Sequence, residues 1–170
     1  MGEGKGRARR FAIVLVLVGT CICAHAETIL VWVTETLDGQ PAPLPPATAE
    51  GIMDSLFESG NIVIGINAEK QPASLQALVT EAETGGAHYI LRADVTFTRT
   101  TAAGGKTTVS AAATYTLYAG GSPAGQNSAT DDNRGREKDM DLGKLAFELG
   151  TKIAADSLVI LDRTPEQKNR

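Results

Sequence analysis

The sequence predicts an α+β fold: a mixed four-stranded sheet in the order β-α-β-α-β-β-α, with a long antiparallel hairpin and three helices mainly on one face. Three observations predict it. Two short apolar runs, residues 29–36 (ILVWVTET) and 61–67 (NIVIGIN), are each followed by a segment with apolar residues at helical spacing. Two longer runs, 88–98 and 109–118, alternate strictly around a glycine pair. The chain then ends in a stripe of Leu142, Leu145, Leu149 and Ile153.

Before the first strand lies a processing segment, residues 1–26. Lys5, Arg7, Arg9 and Arg10 precede an apolar run over 11–24, and Ala24-His25-Ala26 has the small-x-small form of a cleavage site. This predicts a secretory signal cut between Ala26 and Glu27. The run has 14 residues, whereas a membrane span needs roughly 20. Thr20 before Cys21 departs from the small residue that precedes a lipidated cysteine. Both cysteines, Cys21 and Cys23, leave with the signal, which excludes thiol catalysis, thiolate metal sites and disulfides. The remainder carries 12 basic and 19 acidic side chains, a net charge of −7. That surface repels phosphate backbones and anionic lipid, so nucleic acid and peripheral membrane are disfavoured partners. The expected organisation is one α+β domain over residues 27–162 and a polar tail over 163–170.

The first strand, 29–36, lacks alternation in ILVWV, as a strand buried on both faces does. Residues 38–46 (DGQPAPLPP) hold four prolines and predict an extended surface connector, with a proline-rich recognition segment as the alternative. A helix begins near Ala47 with Ile52, Met53, Leu56 and Phe57 on one stripe, Thr48 as a cap and Gly60 as its stop. After the second strand, 61–67, Pro72 suits the first turn of a helix whose apolar face is Leu75, Leu78, Val79 and Ala82, stopped by Gly85-Gly86.

In the hairpin, Tyr89, Leu91, Ala93, Val95 and Phe97 share one face, and Val109, Ala111, Ala113, Tyr115 and Leu117 share one face of the return. Both apolar sets are odd-numbered, so paired residues must sum to an even number. A two-residue Gly104-Gly105 loop breaks that rule, whereas an odd-length loop or a bulge satisfies it. Residues 119–139 are rich in Gly, Ser, Asn and Asp without apolar periodicity, which predicts a long mobile loop. The last helix is expected over 141–161.

GGAHYILRADV at 85–95, TVSAAATYTLYAGGSPAG at 108–125 and the terminal LGKLAFELGTKIAADSL carry a resemblance. The chain resembles periplasmic domains related to the amino-terminal domain of TolB and the LpoB-type lipoprotein activators of penicillin-binding proteins. His88 stands where that pattern carries an aspartate, and Arg92 and Asp94 where small residues are common. The resemblance implies a protein-interaction module of the bacterial envelope, periplasmic or secreted, with an envelope protein as partner.

Among chemistry-bearing residues, His88 shares a face with Asp94 but lies about 20 Å away along the strand. It is therefore read as a strand opener, and no catalytic residue is assigned. Residues 131–141 invite a calcium reading, but Arg136 and Leu142 stand where a calcium loop needs glycine and glutamate. No metal site and no cofactor are assigned. No phosphate loop or nucleophile elbow is present. The candidate partner-binding residues are Arg92, Asp94, Thr96, Thr114 and Tyr118, on the polar face of the hairpin. The expected function is non-enzymatic binding through that face. The alternative is a small-ligand binder or carboxylate-based enzyme with a cleft the sequence does not mark.

Overall fold

A computed structural model of the chain describes residues 26–42, 47–66, 72, 74–133 and 142–164. The elements are β1 (Thr28–Leu37), β2 (Gln40–Pro41), α1 (Ala47–Glu58), β3 (Ile62–Gly65), α2 (Leu75–Gly85), β4 (Tyr89–Thr101), β5 (Thr107–Ala119), β6 (Ser122–Asp132) and α3 (Leu142–Arg163). The class is the expected mixed α+β. The described sheet has six strands rather than four, in the order β2-β1-β4-β5-β6, with β3 also paired to β1.

Strands β3, β1 and β4 are mutually parallel, while β4, β5 and β6 form an antiparallel meander. The chain moves from β1 outward to β3, then back across β1 to β4. Right-handed crossovers in opposite directions put their helices on opposite faces. Accordingly α1 and α3 cover one face, and α2 covers part of the other. That separates α2 from the helical layer the sequence suggested.

The larger core lies under α1 and α3. It takes the odd-numbered side chains Ile29, Val31, Leu91, Ala93, Val95, Phe97, Ala113, Tyr115 and Leu117 of the strands, closed by Ile52, Leu56, Leu145, Leu149 and Ile153. The smaller core joins Leu30 and Ile90 to Leu78 and Ala82 of α2. One strand feeding two cores explains why ILVWV does not alternate.

Helices α1 and α3 meet backbone to backbone. A Cβ at Gly150 would lie 2.9 Å from Ile52 N and 3.1 Å from Gly51 Cα, and closer still to Thr48 O. A Cβ at Gly51 would overlap Phe147 O. Glycine at both positions is a steric requirement of this crossing. Helix α3 then runs along β6, where Ile160 Cγ2 occupies the space a Cβ of Gly125 would need, at 2.7 Å.

The caps correct two expectations. The Thr48 N–H donates to Glu35 Oε1 of β1 at 2.9 Å, so a strand carboxylate, not the Thr48 hydroxyl, serves the start of α1. Helix α2 is capped by Ser74, whose hydroxyl accepts from Ala77 N–H at 3.2 Å, and Pro72 lies before it. Gly86, at φ 71°, ends α2 as expected.

Three turns set the meander. The β4–β5 loop is five residues long, 102–106, and pairs Thr101 with Thr107, so all partners sum to an even number as the parity argument requires. Asp38-Gly39, at φ 52° and 80°, closes a two-residue hairpin from Leu37 to Gln40. Thus the first part of the expected connector 38–46 is a turn and a short strand; residues 43–46 lie outside the described residues.

The largest departure is at 119–133, expected as a mobile loop. Gly120 and Gly121, at φ 54° and 79°, form a second two-residue turn, and residues 122–132 pair along β5. Apolar periodicity is missing because β6 is an edge strand whose inward positions, Gly125, Asn127 and Ala129, must be small or polar beneath a close helix. A register shift at Leu117/Tyr118 converts the odd sum of the turn into the even sum of the ladder. Residues 1–25 of the expected signal segment, the calcium-like stretch beyond Asn133 and the tail beyond Thr164 lie outside the described residues.

Candidate functional site

The even-numbered face of the sheet is covered by α2 at one end only. Beyond Leu30 and Ile90 the even positions turn polar: Trp32, Thr34 and Thr36 in β1, Arg92, Asp94, Thr96 and Thr98 in β4, and Ser110, Thr114 and Thr116 in β5. This open area contains four of the five expected binding residues.

Arg92 and Asp94 form an ion pair, Nη2 to Oδ2 at 3.1 Å, with 36% and 47% of their side chains exposed. Thr114 lies directly opposite Asp94, and Thr96 lies two residues on, opposite Ala112. The Thr36 hydroxyl donates to Val95 O at 3.3 Å and lies 3.4 Å from the Thr96 hydroxyl, tying β1 to β4. Tyr118 is the exception. It pairs with Ile90 and packs on the small apolar core beneath α2, away from Thr96.

Trp32, which sequence reasoning did not select, completes the site. It sits opposite Arg92 in the β1–β4 register, and the Arg92 guanidinium lies 4.8 Å from the indole centroid. Such a stack is favourable by about 0.5–2 kcal/mol, depending on desolvation. Trp32 Nε1 and Arg92 Nε are both buried donors that meet no hydrogen-bond partner among the described residues. The signal was present as the single even-numbered aromatic in β1, but register with Arg92 requires knowing that β1 and β4 are neighbours.

Farther along the same face, a shallow depression of about 520 Å³ is lined by Thr96, Thr98, Ser110, Ala112, Thr130 and Asp132. Its lining is mostly hydroxyl and methyl. Asp131 also borders it, but its Oδ2 accepts from Lys152 Nζ of α3 at 2.6 Å; Asp156 of α3 accepts from the Tyr115 hydroxyl at 2.7 Å. Burial and then the Asp156 carboxylate push the Tyr115 phenol well above its ordinary range. Burial raises Glu35 above the usual carboxylate range, against the hydrogen bonding from Thr48. Neither group faces the open sheet.

His88 opens β4, as expected: its N–H donates to Thr28 O at 2.9 Å. Its Nδ1 lies 3.1 Å from Glu27 Oε2, with two thirds (66%) of the side chain exposed. Among the described residues no three His, Cys, Asp or Glu side chains group to hold a metal ion. No described helix is long and apolar enough to cross a membrane.

No protein-family model matches the chain, and no curated protein matches it. Solved structures share the fold. A hypothetical protein of Chlamydia trachomatis aligns with a TM-score of 0.54 at 13% identity, covering 81% of this chain and 99% of that one. A PelC dodecamer from Paraburkholderia phytofirmans aligns at 0.52 and 17% identity, covering 75% and 85%. The likeness to LpoB read from the sequence is also present: the LpoB C-terminal domain from Salmonella enterica aligns at 0.45 and 10% identity, covering 62% and 82%.

Proposed function

We propose that the chain is a non-enzymatic protein-interaction module of the bacterial envelope, exported after cleavage between Ala26 and Glu27, that binds an envelope protein through the open half of its sheet. One observation carries this reading: Arg92, paired with Asp94, lies over Trp32 in the middle of an otherwise nearly uncharged, exposed β surface. Trp and Arg are the side chains that most often concentrate binding energy at interfaces, and interface centres are depleted in charge. The buried, unpartnered Trp32 Nε1 and Arg92 Nε add two donors that a partner's carbonyl or carboxylate would satisfy after a small shift.

Export is supported by the signal-like segment that ends at Ala26; Glu27, the first residue after the proposed cut, is already part of the sheet's surroundings, its carbonyl accepting from Ile62 N–H at 2.8 Å. The PelC protein of like fold assembles as a dodecamer, a case in which this architecture sustains protein contacts. Thr96 and Thr114 border the centre of the proposed surface, and Tyr118 marks its boundary with α2.

The test is affinity capture from envelopes of the native host with the purified chain, alongside Arg92→Glu and Asp94→Lys. The wild type is expected to enrich a defined envelope protein, and both variants to lose it while remaining folded by circular dichroism with only a modest drop in melting temperature. Enrichment of nothing, or retention of every partner by both variants, overturns the assignment.

A further inference from the structure

The meander ends in β6, and one bond shows which way its backbone faces. Asn133 N–H donates to Val109 O at 3.1 Å. Positions two apart in that register, Asp131 with Ala111, Ala129 with Ala113 and Asn127 with Tyr115, therefore exchange the ladder bonds. Gln126, Ser128, Thr130 and Asp132 turn their N–H and C=O groups away from β5. Two of those N–H groups are bound within the strand: Ser128 N–H donates to Asn127 Oδ1 at 2.9 Å, and Asp132 N–H to Asp131 Oδ1 at 2.8 Å. Gln126 and Thr130 present outward N–H groups, and their carbonyls and that of Ser128 face the same way.

Above this edge runs α3, in the opposite direction. Lys152 reaches Asp131 near one end of β6, and Ile160 fills the space over Gly125 near the other. Glu148, Lys152, Ala155, Val159 and Arg163 recur at three- and four-residue steps and form the ridge of α3 on the edge side. Val159 is 45% exposed there. Beneath the ridge, a depression of about 510 Å³ is lined by Ala124, Gly125, Gln126, Asn127, Ile160 and Arg163, among others.

We propose that two copies of this chain associate through their β6 edges, antiparallel about a two-fold axis at Ser128, with the α3 ridges meeting above the joint. A two-fold axis normal to the sheet keeps each face on its own side, so paired residues must again sum to an even number. With the axis at Ser128, Gln126 of each copy lies opposite Thr130 of the other, giving four intersubunit N–H···O bonds. Asp131 and Asp132 fall opposite Gly125 and Ala124, whereas a parallel arrangement would stack carboxylate on carboxylate.

The same axis crosses α3 near Asp156, midway between its two contacts with β6. Each ridge then meets its own reverse: Glu148 faces Arg163 at both ends, Ala155 meets Ala155 at the centre, and the stem of Lys152, whose ammonium is held by Asp131, lies against Val159. The ends of the ridge are complementary in charge and its middle offers mostly apolar surface, which selects a second copy over an arbitrary extended peptide. This surface is separate from the sheet face proposed for the envelope partner.

Sedimentation equilibrium on the purified chain, processed at its amino terminus as the host leaves it, tests the proposal from about 1 μM to about 1 mM, the range of weak to moderate dimers. The expected result is a reversible rise from monomer mass to twice that mass. Thr130→Pro removes two of the four bonds and no ladder bond to β5, so it should weaken dimerisation with the fold intact by circular dichroism. Glu148→Arg sets like charges against each other at both ends and should weaken it about tenfold. Adding Arg163→Glu to Glu148→Arg should restore wild-type association. Should Thr130→Pro fail to fold, the charge exchange decides alone. A monomer at every concentration, a dimer indifferent to both single variants, or a double variant no tighter than Glu148→Arg overturns the proposal.

Discussion

Replacing Gly150 by alanine tests the feature that holds the helical layer together. The added Cβ would sit 2.9 Å from Ile52 N and 3.1 Å from Gly51 Cα, and closer to Thr48 O, all backbone atoms that no rotamer change can move. Restoring ordinary contact requires α1 and α3 to part by about 1 Å, a gap that forfeits a quarter to a half of each dispersion contact across it. The side chains affected are Ile52 and Leu56 on α1 against Leu145, Leu149 and Ile153 on α3, all fully buried. Overpacking of this kind costs about 3 kcal/mol at its upper end, and the looser contacts about 1 more, while alanine returns about 1 through helix propensity. The net expectation is about 3 kcal/mol, or roughly 10 °C in melting temperature for a chain of this length. Urea titration and thermal melting by circular dichroism measure both. Gly104→Ala is the control: no atom lies within 4 Å of its built Cβ, and its stability should stay within about 0.5 kcal/mol of wild type. A Gly150→Ala protein that also stays within that margin would refute the backbone-contact packing of α1 on α3.

Glu35→Gln keeps an oxygen for the Thr48 N–H but removes a carboxyl whose pKa burial raises. The folded state holds that proton more tightly than the unfolded one, so stability falls as pH rises through the raised value. The variant should therefore melt higher than wild type at neutral pH, with the two curves converging below the ordinary value of 4.5. Tyr115→Phe removes the bond to Asp156 and should cost about 1 kcal/mol in urea titration. In the wild type, the Tyr115 phenol is held above its ordinary 10.0, so stability should fall as pH rises past that value, and tyrosinate absorbance of this residue should appear only with unfolding. Arg92→Ala should cost about 1–2 kcal/mol, most of it from the stack on Trp32 and little from the partly exposed pair with Asp94. It should also shift the emission of Trp32, the chain's one tryptophan.

The elements legible in sequence were those whose side chains obey a period. Tyr89 to Phe97 and Val109 to Leu117 alternate because one face is buried along its whole length, and their shared odd numbering constrained the loop between them. β6 was hidden because an edge strand under a close helix has no apolar face to show. Gly120-Gly121 between two polar-apolar stretches was the turn signal that could have revealed it. Capping of α1 by Glu35 was illegible for a different reason: it joins residues 13 apart through tertiary placement. The candidate site was half legible. Arg92, Asp94, Thr96 and Thr114 share a face by parity alone, but Trp32 joins them only through the β1–β4 pairing, and Tyr118 leaves them because α2 lies on that face.

That placement of α2 explains why an open surface exists at all. Its 11 residues extend about 16 Å, whereas the 13 residues of β4 extend about 43 Å. On the opposite face the 22 residues of α3, about 33 Å, together with α1 cover nearly the whole sheet, and the odd positions stay apolar from Tyr89 to Phe97. On the α2 face the even positions turn polar at Arg92, where the short helix runs out. Solvation alone would be served by lysine and glutamate there, yet beyond Arg92 and Asp94 the even positions of β4 and β5 are threonine, serine and alanine up to the apolar end at Tyr118. If that neutrality serves contact, Thr96→Lys with Thr114→Lys should leave the melting temperature within about 2 °C, since neither side chain enters a core, while abolishing capture of the envelope partner. Capture that survives two added charges at the centre of the face would show that the wet half of the sheet is merely solvated.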